Sequence, residues 1–191
     1  MVIRIFALIM VFPLFGEAQT DVVGYGGVVS RVQAERFDFE TFRGGPASTQ
    51  TPAFGFGGGT SIWKVRIDGS ILRTQTGETN VFVGPVREVE QTAQGSALFA
   101  EFGAGWPFLK AAGFRAIARA GIGAVRVRVP MALPIEDDQR FWTYGISVSR
   151  PVGSRYLIRI DARNVHFQEE NVPQTLGRYN VIVLAGFGLR F

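Results

Sequence analysis

Large apolar residues alternate with small or polar residues along most of the chain. In the last stretch, 179–191, the odd positions hold Tyr, Val, Val, Ala, Phe, Leu and Phe, whereas Asn180, Gly186, Gly188 and Arg190 lie at even positions. A period of two places these sets on opposite faces of an extended strand. No stretch after Gln19 combines a helical apolar period with capping residues. The pattern therefore predicts an all-β protein.

Turn and loop residues divide the chain into eight alternating segments. The predicted strands are 22–32, 52–62, 65–73, 96–106, 114–126, 140–150, 156–165 and 179–191. Most are close to the length of about ten residues with which a tilted strand crosses a bilayer. Short links at 63–64, 107–113 and 151–155 alternate with long links at 33–51, 74–95, 127–139 and 166–178. This alternation predicts an antiparallel up-and-down meander with both termini at the short-turn end.

One face of each strand is apolar and the other mixes glycine, serine and charge. The seventh segment sets Tyr156, Ile158 and Ile160 against Arg159 and Asp161. A soluble, lipocalin-like carrier would turn the apolar face inward, and a membrane barrel would turn it outward. Aromatic residues near both ends of the apolar face, and the scarcity of Lys and Glu in the strands, favour the membrane. We therefore predict an eight-stranded antiparallel up-and-down transmembrane β-barrel, with the soluble carrier as an alternative.

The first 18 residues predict a secretory signal peptide. One cation, Arg4, precedes the apolar run 5–15, and Gly16 and Ala18 are small, as cleavage between Ala18 and Gln19 requires. The run is shorter than the roughly 20 residues of a membrane-spanning helix. The prediction is a signal peptide over 1–18, a barrel domain over 19–191, and a location in a Gram-negative-type outer membrane.

Composition excludes several other classes of function. The formal net charge is +4, but the arginines are scattered singly, which argues against a nucleic-acid partner. The chain has no Cys and a single His, so no zinc site is expected. The glycine run 55–61 has no following Lys, unlike a phosphate-binding loop. We expect no catalytic residues, no cofactor and no bound metal.

The end of the chain carries a family resemblance. Phe191, Leu189 and Phe187 alternate there with smaller or polar residues, and the stretch 159–167, RIDARNVHF, resembles a penultimate barrel strand. The chain resembles the small outer-membrane β-barrel family typified by the transmembrane domain of outer-membrane protein A. The resemblance implies that Phe187, Leu189 and Phe191 form a C-terminal signal read by the barrel-assembly machinery. We expect the protein to be a monomer.

Charged residues on the polar face are predicted to fill the barrel interior as an ion-pair network, because a buried charge without a partner is costly. They are Arg66, Asp68, Glu101, Arg115, Arg119, Arg159, Asp161, Arg163 and Arg190. Asp161 is expected to centre one cluster with Arg159 and Arg163, and Glu101 to meet Arg115 or Arg119. Six arginines against three carboxylates leave three excess positive charges, so a narrow anion-leaning channel is an alternative function.

The long links are acidic. They contain Glu35, Asp38, Glu40, Glu78, Glu88, Glu90, Glu136, Asp137, Asp138, Glu169 and Glu170, opposed by Arg36, Arg43 and Arg87. We predict a non-enzymatic protein with a structural or surface-interaction role through these extracellular loops. Its partners would be outer-membrane lipid and lipopolysaccharide, with divalent cations bridging carboxylates to phosphates as one hypothesis.

Lipid A modification is the enzymatic alternative. His166 lies at the outer end of the seventh segment on the apolar face, where it would meet lipid headgroups. A hydrolase needs a nucleophile beside the histidine and an acid to orient it. Glu169 and Glu170 are near in sequence but no Ser or Thr is, and a distant candidate such as Ser48 has no further support. The sequence therefore favours a protein without catalytic activity.

Overall fold

The computed structural model describes the backbone of residues 19–38, 43–82, 90–129, 135–167 and 179–191. Side chains are described for 19–30, 50–75, 95–128, 138–167 and 180–191. The predicted signal peptide, 1–18, lies outside the described residues, as do the side chains of most of the acidic loop residues. Within the described part, the chain forms no helix with the length and apolarity needed to cross a membrane.

Eight antiparallel strands form a closed barrel in sequence order, as predicted. They are β1 (Gln19–Asp38), β2 (Arg43–Ile62), β3 (Val65–Phe82), β4 (Glu90–Ala111), β5 (Phe114–Val129), β6 (Ile135–Val152), β7 (Tyr156–Phe167) and β8 (Tyr179–Arg190). The last strand pairs with the first, from Asp21 opposite Arg190 to Val32 opposite Tyr179. Closure leaves no open sheet edge, which a bilayer without water requires.

The strands are longer than the apolar alternation predicted. β1 reaches Asp38 rather than 32, and β3 reaches Phe82 rather than 73. These extensions have polar sequences, and pairing outside the hydrocarbon needs no apolar face. The prediction failed there because it relied on the apolar alternation.

The predicted link 107–113 is wrong. β4 continues to Ala111, and only Ala112 and Gly113 form the turn, both with positive φ, 50° and 80°. The register shifts between Pro107 and Leu109. A bulge tolerates a proline, which has no N–H to give to the ladder, so Pro107 interrupts the ladder without ending the strand.

The barrel has two different ends. The turn end carries the turns Trp63–Lys64, Ala112–Gly113 and Gly153–Arg155, together with the start of β1 and the end of β8. The opposite end of the barrel, at which β1, β3, β5 and β7 end, is called the loop end.

The apolar face points outward. Ile122 is 65% exposed, and Phe54, Phe56, Ile146 and Ile160 are similarly accessible around the wall. Most of the described charged residues at inward positions are buried. This arrangement is the reverse of a lipocalin-like carrier, so that alternative is wrong. The apolar exterior is typical of a barrel that contacts lipid.

Candidate functional site

The lumen contains a connected network of buried ion pairs on the inward faces of β1, β3, β4, β5 and β7. Arg66 donates from Nη1 and Nη2 to the two carboxylate oxygens of Asp21, at 2.7 and 2.6 Å. Arg119 Nη2 contacts both Asp68 Oδ1, at 2.7 Å, and Glu101 Oε1, at 2.8 Å. Shared partners of this kind link the pairs into one network.

The network crosses the lumen from one wall to the other. Arg159 on β7 contacts Asp68 on β3 at 3.4 Å, and β3 and β7 are four strands apart in either direction around the barrel. Arg163 on β7 donates to Glu101 Oε2 at 2.5 Å and to Ser70 Oγ at 2.8 Å. These contacts span the lumen at this level.

Asp161 lies between two arginines of its own strand. Its carboxylate is 3.3 Å from Arg159 Nε and 3.3 Å from Arg163 Nη2. Hydroxyl groups satisfy further donors and acceptors, since Arg159 Nε donates to Ser147 Oγ at 2.6 Å and Thr143 Oγ1 donates to Glu101 Oε1 at 2.8 Å. Buried charges are tolerated when they are paired and hydrogen-bonded in this way.

The buried charges balance, which corrects the predicted excess of three positive charges. The network contains four arginines, Arg66, Arg119, Arg159 and Arg163, and four carboxylates, Asp21, Asp68, Glu101 and Asp161. Sequence reasoning missed Asp21 because it began the first strand one residue later, although Asp21 shares its parity with Val23 and Tyr25. Among the described side chains, the buried charges therefore sum to zero.

Arg115 and Arg190, the other two arginines predicted to be interior, lie apart from this network. Both are near the turn end and only half-buried. Among the described side chains, neither forms an ion pair with a carboxylate. Glu101, for which Arg115 was one of two expected partners, meets Arg119.

Glycines on the inward face leave room for the long arginine side chains. A Cβ at Gly121 would lie 2.8 Å from Glu101 Oε1 and 3.0 Å from Thr143 Oγ1. A Cβ at Gly59 would lie 2.7 Å from the Cβ of Asp68 and 2.9 Å from Arg66 Nη2. The absence of a side chain at these positions is therefore part of how the charges fit.

An apolar layer lies on the loop side of the charges. Along β3, Leu72 follows Asp68 towards the loop end, and along β7, Val165 follows Arg163. On β4, Phe99 lies nearer to the loop end than Glu101 and contacts Phe141 of β6, with ring centroids 5.7 Å apart. The lumen thus contains two layers of side chains, one of paired charges and one of apolar residues.

The outward face carries aromatic rings near both ends. Towards the loop end, Trp142 stacks on His166 with ring centroids 4.3 Å apart, and Tyr144 stacks on both. Towards the turn end, Tyr156 stacks on Phe187 with centroids 5.5 Å apart. Aromatic girdles of this kind mark the membrane–water interfaces of barrels.

His166, the candidate for lipid chemistry, belongs to the aromatic cluster near the loop end. Its ring stacks on those of Trp142 and Tyr144. Ser48, Glu169 and Glu170 lie outside the described side chains. Across the side chains that the structure describes, no group of His, Asp and Glu is arranged to hold a metal ion.

Exposed arginines towards the loop end were missed as surface residues, since three of them end or begin predicted strands and Arg128, in the predicted link 127–139, was not counted among the loop charges. Arg73, Arg126, Arg128 and Arg140 all have exposed side chains. Arg126 pairs with Asp138 through two hydrogen bonds of 2.7 Å. The hydrogen bond from Arg126 holds the pKa of the Asp138 carboxyl below its usual range. The loop end is therefore less uniformly acidic than the loop sequences alone indicated.

No family model and no curated protein matches the sequence. Solved structures do match. Neisserial surface protein A (NspA) aligns with a TM-score of 0.65 at 11% identity, covering 91% of this chain and 99% of that one. The chain has the fold of the small outer-membrane β-barrels. Ail of Yersinia pestis aligns with a TM-score of 0.55 at 12% identity, covering 91% and 98%. The N-terminal β-barrel domain of Pseudomonas aeruginosa OprF aligns with a TM-score of 0.50 at 11% identity, covering 91% and 97%.

Proposed function

We propose that this protein is an integral outer-membrane barrel that does not conduct ions and acts as an envelope or surface-interaction protein through its loop end. The observation that carries the proposal is the filled lumen. Four buried arginines pair with four buried carboxylates, and an apolar layer containing Phe99 and Phe141 lies beside them. A barrel with a filled lumen serves as a membrane anchor for the residues at its loop end.

The exterior supports the membrane location. A band of exposed apolar residues lies between the ring clusters at Trp142 and Tyr156. Short turns face the periplasm and longer connections face outward in outer-membrane barrels. By this rule the turn end is periplasmic and the loop end extracellular.

Lipopolysaccharide is the partner that the loop end fits best. Arg140 is exposed two positions from Trp142 on β6, and Arg73, Arg126 and Arg128 are exposed on β3 and β5. Guanidinium groups beside an interfacial aromatic cluster are suited to lipid phosphates. Divalent bridging by the loop carboxylates remains a prediction. Asp138, one of those carboxylates, already accepts two hydrogen bonds from Arg126.

The end of β8 is proposed to carry the assembly signal. Phe187, Leu189 and Phe191 are exposed on the outward face, and in the closed barrel Phe187 lies opposite Gly24 and Leu189 opposite Val22. Before closure these side chains would be available to the barrel-assembly machinery. The folded protein is proposed to be a monomer without catalytic activity.

The first test is electrophoresis of protein refolded in detergent, run unheated and boiled, beside membrane fractions from cells. The proposal requires a mobility shift on boiling and recovery in the outer-membrane fraction. A protein found free in the periplasm, or one that shows no shift, would overturn it. Planar-bilayer recording of the refolded protein then tests the closed lumen, since a steady open-channel current would contradict it.

A further inference from the structure

The turn end carries exposed positive charge and, among the described side chains, no exposed carboxylate. The only two lysines of the chain, Lys64 and Lys110, lie in or beside two of its turns. Both are exposed, as are Arg150 and Arg155 near the third turn. Asp21 and Asp68, the nearest described acids, are buried in the lumen network. Among the described side chains, the positive charge at this end therefore has no exposed counter-charge.

These cations are distributed over three separate turns that together span half of the barrel's circumference. The turns join β2 to β3, β4 to β5, and β6 to β7, so two strands separate each turn from the next and four strands separate the third from the first. A protein partner that docked from one side would need a contiguous patch. A shell of lipid headgroups surrounds the barrel and meets every turn, which matches this spacing.

Large apolar side chains accompany the cations. Trp63 is fully exposed in the turn beside Lys64, and Phe108 and Leu109 are more than half exposed beside Lys110. A surface with apolar groups next to cations is suited to the boundary between acyl chains and anionic headgroups. Water alone would leave these apolar groups unfavourably exposed.

The backbone at Trp63 adds a separate observation. Its φ is +54°, a left-handed conformation that is uncommon for a bulky residue and that Asn or Gly adopts more easily in a two-residue turn. The turn therefore holds an indole where a smaller residue would fit the backbone better. Outliers of this kind are associated with function.

Arg150 is held at the same boundary by an aromatic ring. Its guanidinium lies over Phe114, 5.0 Å from the ring centroid. A guanidinium stacked in this way keeps its charge, and the N–H groups at its edge remain available to a phosphate.

We propose that the turn end binds the headgroups of anionic phospholipids in the leaflet that surrounds it, through Lys64, Lys110, Arg150 and Arg155, with the Trp63 indole inserted at the interface. The proposal rests on the proposed function in that the barrel must span a bilayer. It goes further by naming the class of lipid and the residues that select it. Electrostatic attraction of this kind weakens with salt.

Tryptophan quenching by brominated lipid tests the proposal. The variant Trp106→Phe/Trp142→Phe keeps Trp63 as the only tryptophan. It is refolded into two vesicle preparations of identical phosphatidylcholine–phosphatidylglycerol composition that carry the same number of brominated chains. In one the bromine is on the phosphatidylglycerol and in the other on the phosphatidylcholine. Insertion is first verified by co-sedimentation with the vesicles and by the mobility shift on boiling.

We expect brominated phosphatidylglycerol to quench Trp63 more strongly than brominated phosphatidylcholine, by about twofold at low salt. Replacing Lys64, Lys110, Arg150 and Arg155 by Gln should remove the difference. Replacing Arg36, Arg43, Arg87 and Arg178 by Gln removes the same number of charges from the predicted long links and should leave the difference unchanged.

Three results would count against the proposal. Equal quenching by the two lipids would overturn lipid selection while leaving the membrane barrel intact. Quenching of Trp63 by aqueous iodide but not by either lipid would show that the turn end faces water, where a soluble partner could reach it. Failure to insert at all would overturn the proposed function as well.

Discussion

Arg163 and Glu101 lie on strands that are not neighbours, yet their side chains meet in the lumen with 2.5 Å between Nη1 and Oε2. Both side chains are almost completely buried, with exposed fractions of 1% and 4%. Glu101 also accepts hydrogen bonds from Arg119 and Thr143. One carboxylate thus accepts hydrogen bonds from side chains on three strands, β5, β6 and β7.

Glu101→Gln should therefore destabilise the barrel strongly. The amide cannot neutralise Arg119 and Arg163, and loss of one partner of a buried pair costs about 3–5 kcal/mol. Equilibrium denaturant unfolding in lipid vesicles, followed by tryptophan fluorescence, measures the change in the free energy of unfolding.

Asp138→Asn provides the matched control. It removes a carboxylate that accepts two hydrogen bonds from Arg126 in an exposed pair. Water screens such a pair, so its loss should cost less than about 1 kcal/mol. Equal destabilisation by the two substitutions would contradict a stabilising network in the lumen.

A single methyl group added at Gly121 should disturb the same network. Its Cβ would lie 2.8 Å from Glu101 Oε1 and 2.9 Å from the carbonyl oxygen of Phe102. Overpacking of this kind costs about 1–3 kcal/mol. Gly24→Ala is the control, because the nearest atom to its Cβ is the Phe187 carbonyl oxygen at 3.9 Å. Denaturant unfolding should show a loss for Gly121→Ala and little change for Gly24→Ala; the reverse order would count against the packing argument.

The order of the strands and the outward face were predictable because both follow from a period of two. The side chain at Ile158 or Ile160 points away from the lumen whatever its neighbours are. Alternating short and long links then give the antiparallel order, and the requirement to avoid open edges brings β8 to β1.

The partners within the lumen were less predictable. Asp161 contacts Arg159 and Arg163 of its own strand, a proximity that parity alone gives. The contact of Arg159 with Asp68 joins β7 to β3 across the barrel, and it depends on the tilt and stagger of the strands. Alternation within one strand carries no information about that stagger. Sequence reasoning therefore left Asp21 out of the lumen charges and included Arg115 and Arg190, which lie outside the network.

Because two layers of side chains fill the lumen, we expect that both layers must be weakened before ions can pass. Wild-type protein in planar bilayers should show no steady current. Phe99→Ala/Phe141→Ala thins the apolar layer but leaves the charge network, so it should also remain closed. Adding Glu101→Ala and Arg163→Ala removes one charge of each sign from the second layer, and we expect ion current only in this combined variant.

The mobility shift on boiling serves as the folding control for all three proteins. A steady, anion-selective current through the wild-type barrel would contradict both the charge balance and the filled lumen.

The exposed Arg126–Asp138 pair should depend on pH. Because the hydrogen bond from Arg126 lowers the pKa of Asp138, the carboxylate is favoured in the folded state. The contribution of the pair to stability is therefore present above the ordinary pKa of Asp and is lost as the pH falls through the lowered value. An NMR titration of the Asp138 side chain should give a lowered pKa that returns towards the ordinary value in Arg126→Gln. An unchanged pKa in that variant would assign the shift to another cause.

The C-terminal side chains should matter for assembly more than for stability. Phe191 is 75% exposed in the folded protein, so Phe191→Ala should change the free energy of unfolding little in detergent. In cells, the same substitution should reduce the fraction of protein that reaches the outer membrane in the boiling-sensitive form. Phe54→Ala, at another exposed phenylalanine outside the proposed signal, should leave that fraction unchanged. Equal loss in both variants would indicate a general requirement for outward aromatic residues instead of a signal at the end of β8.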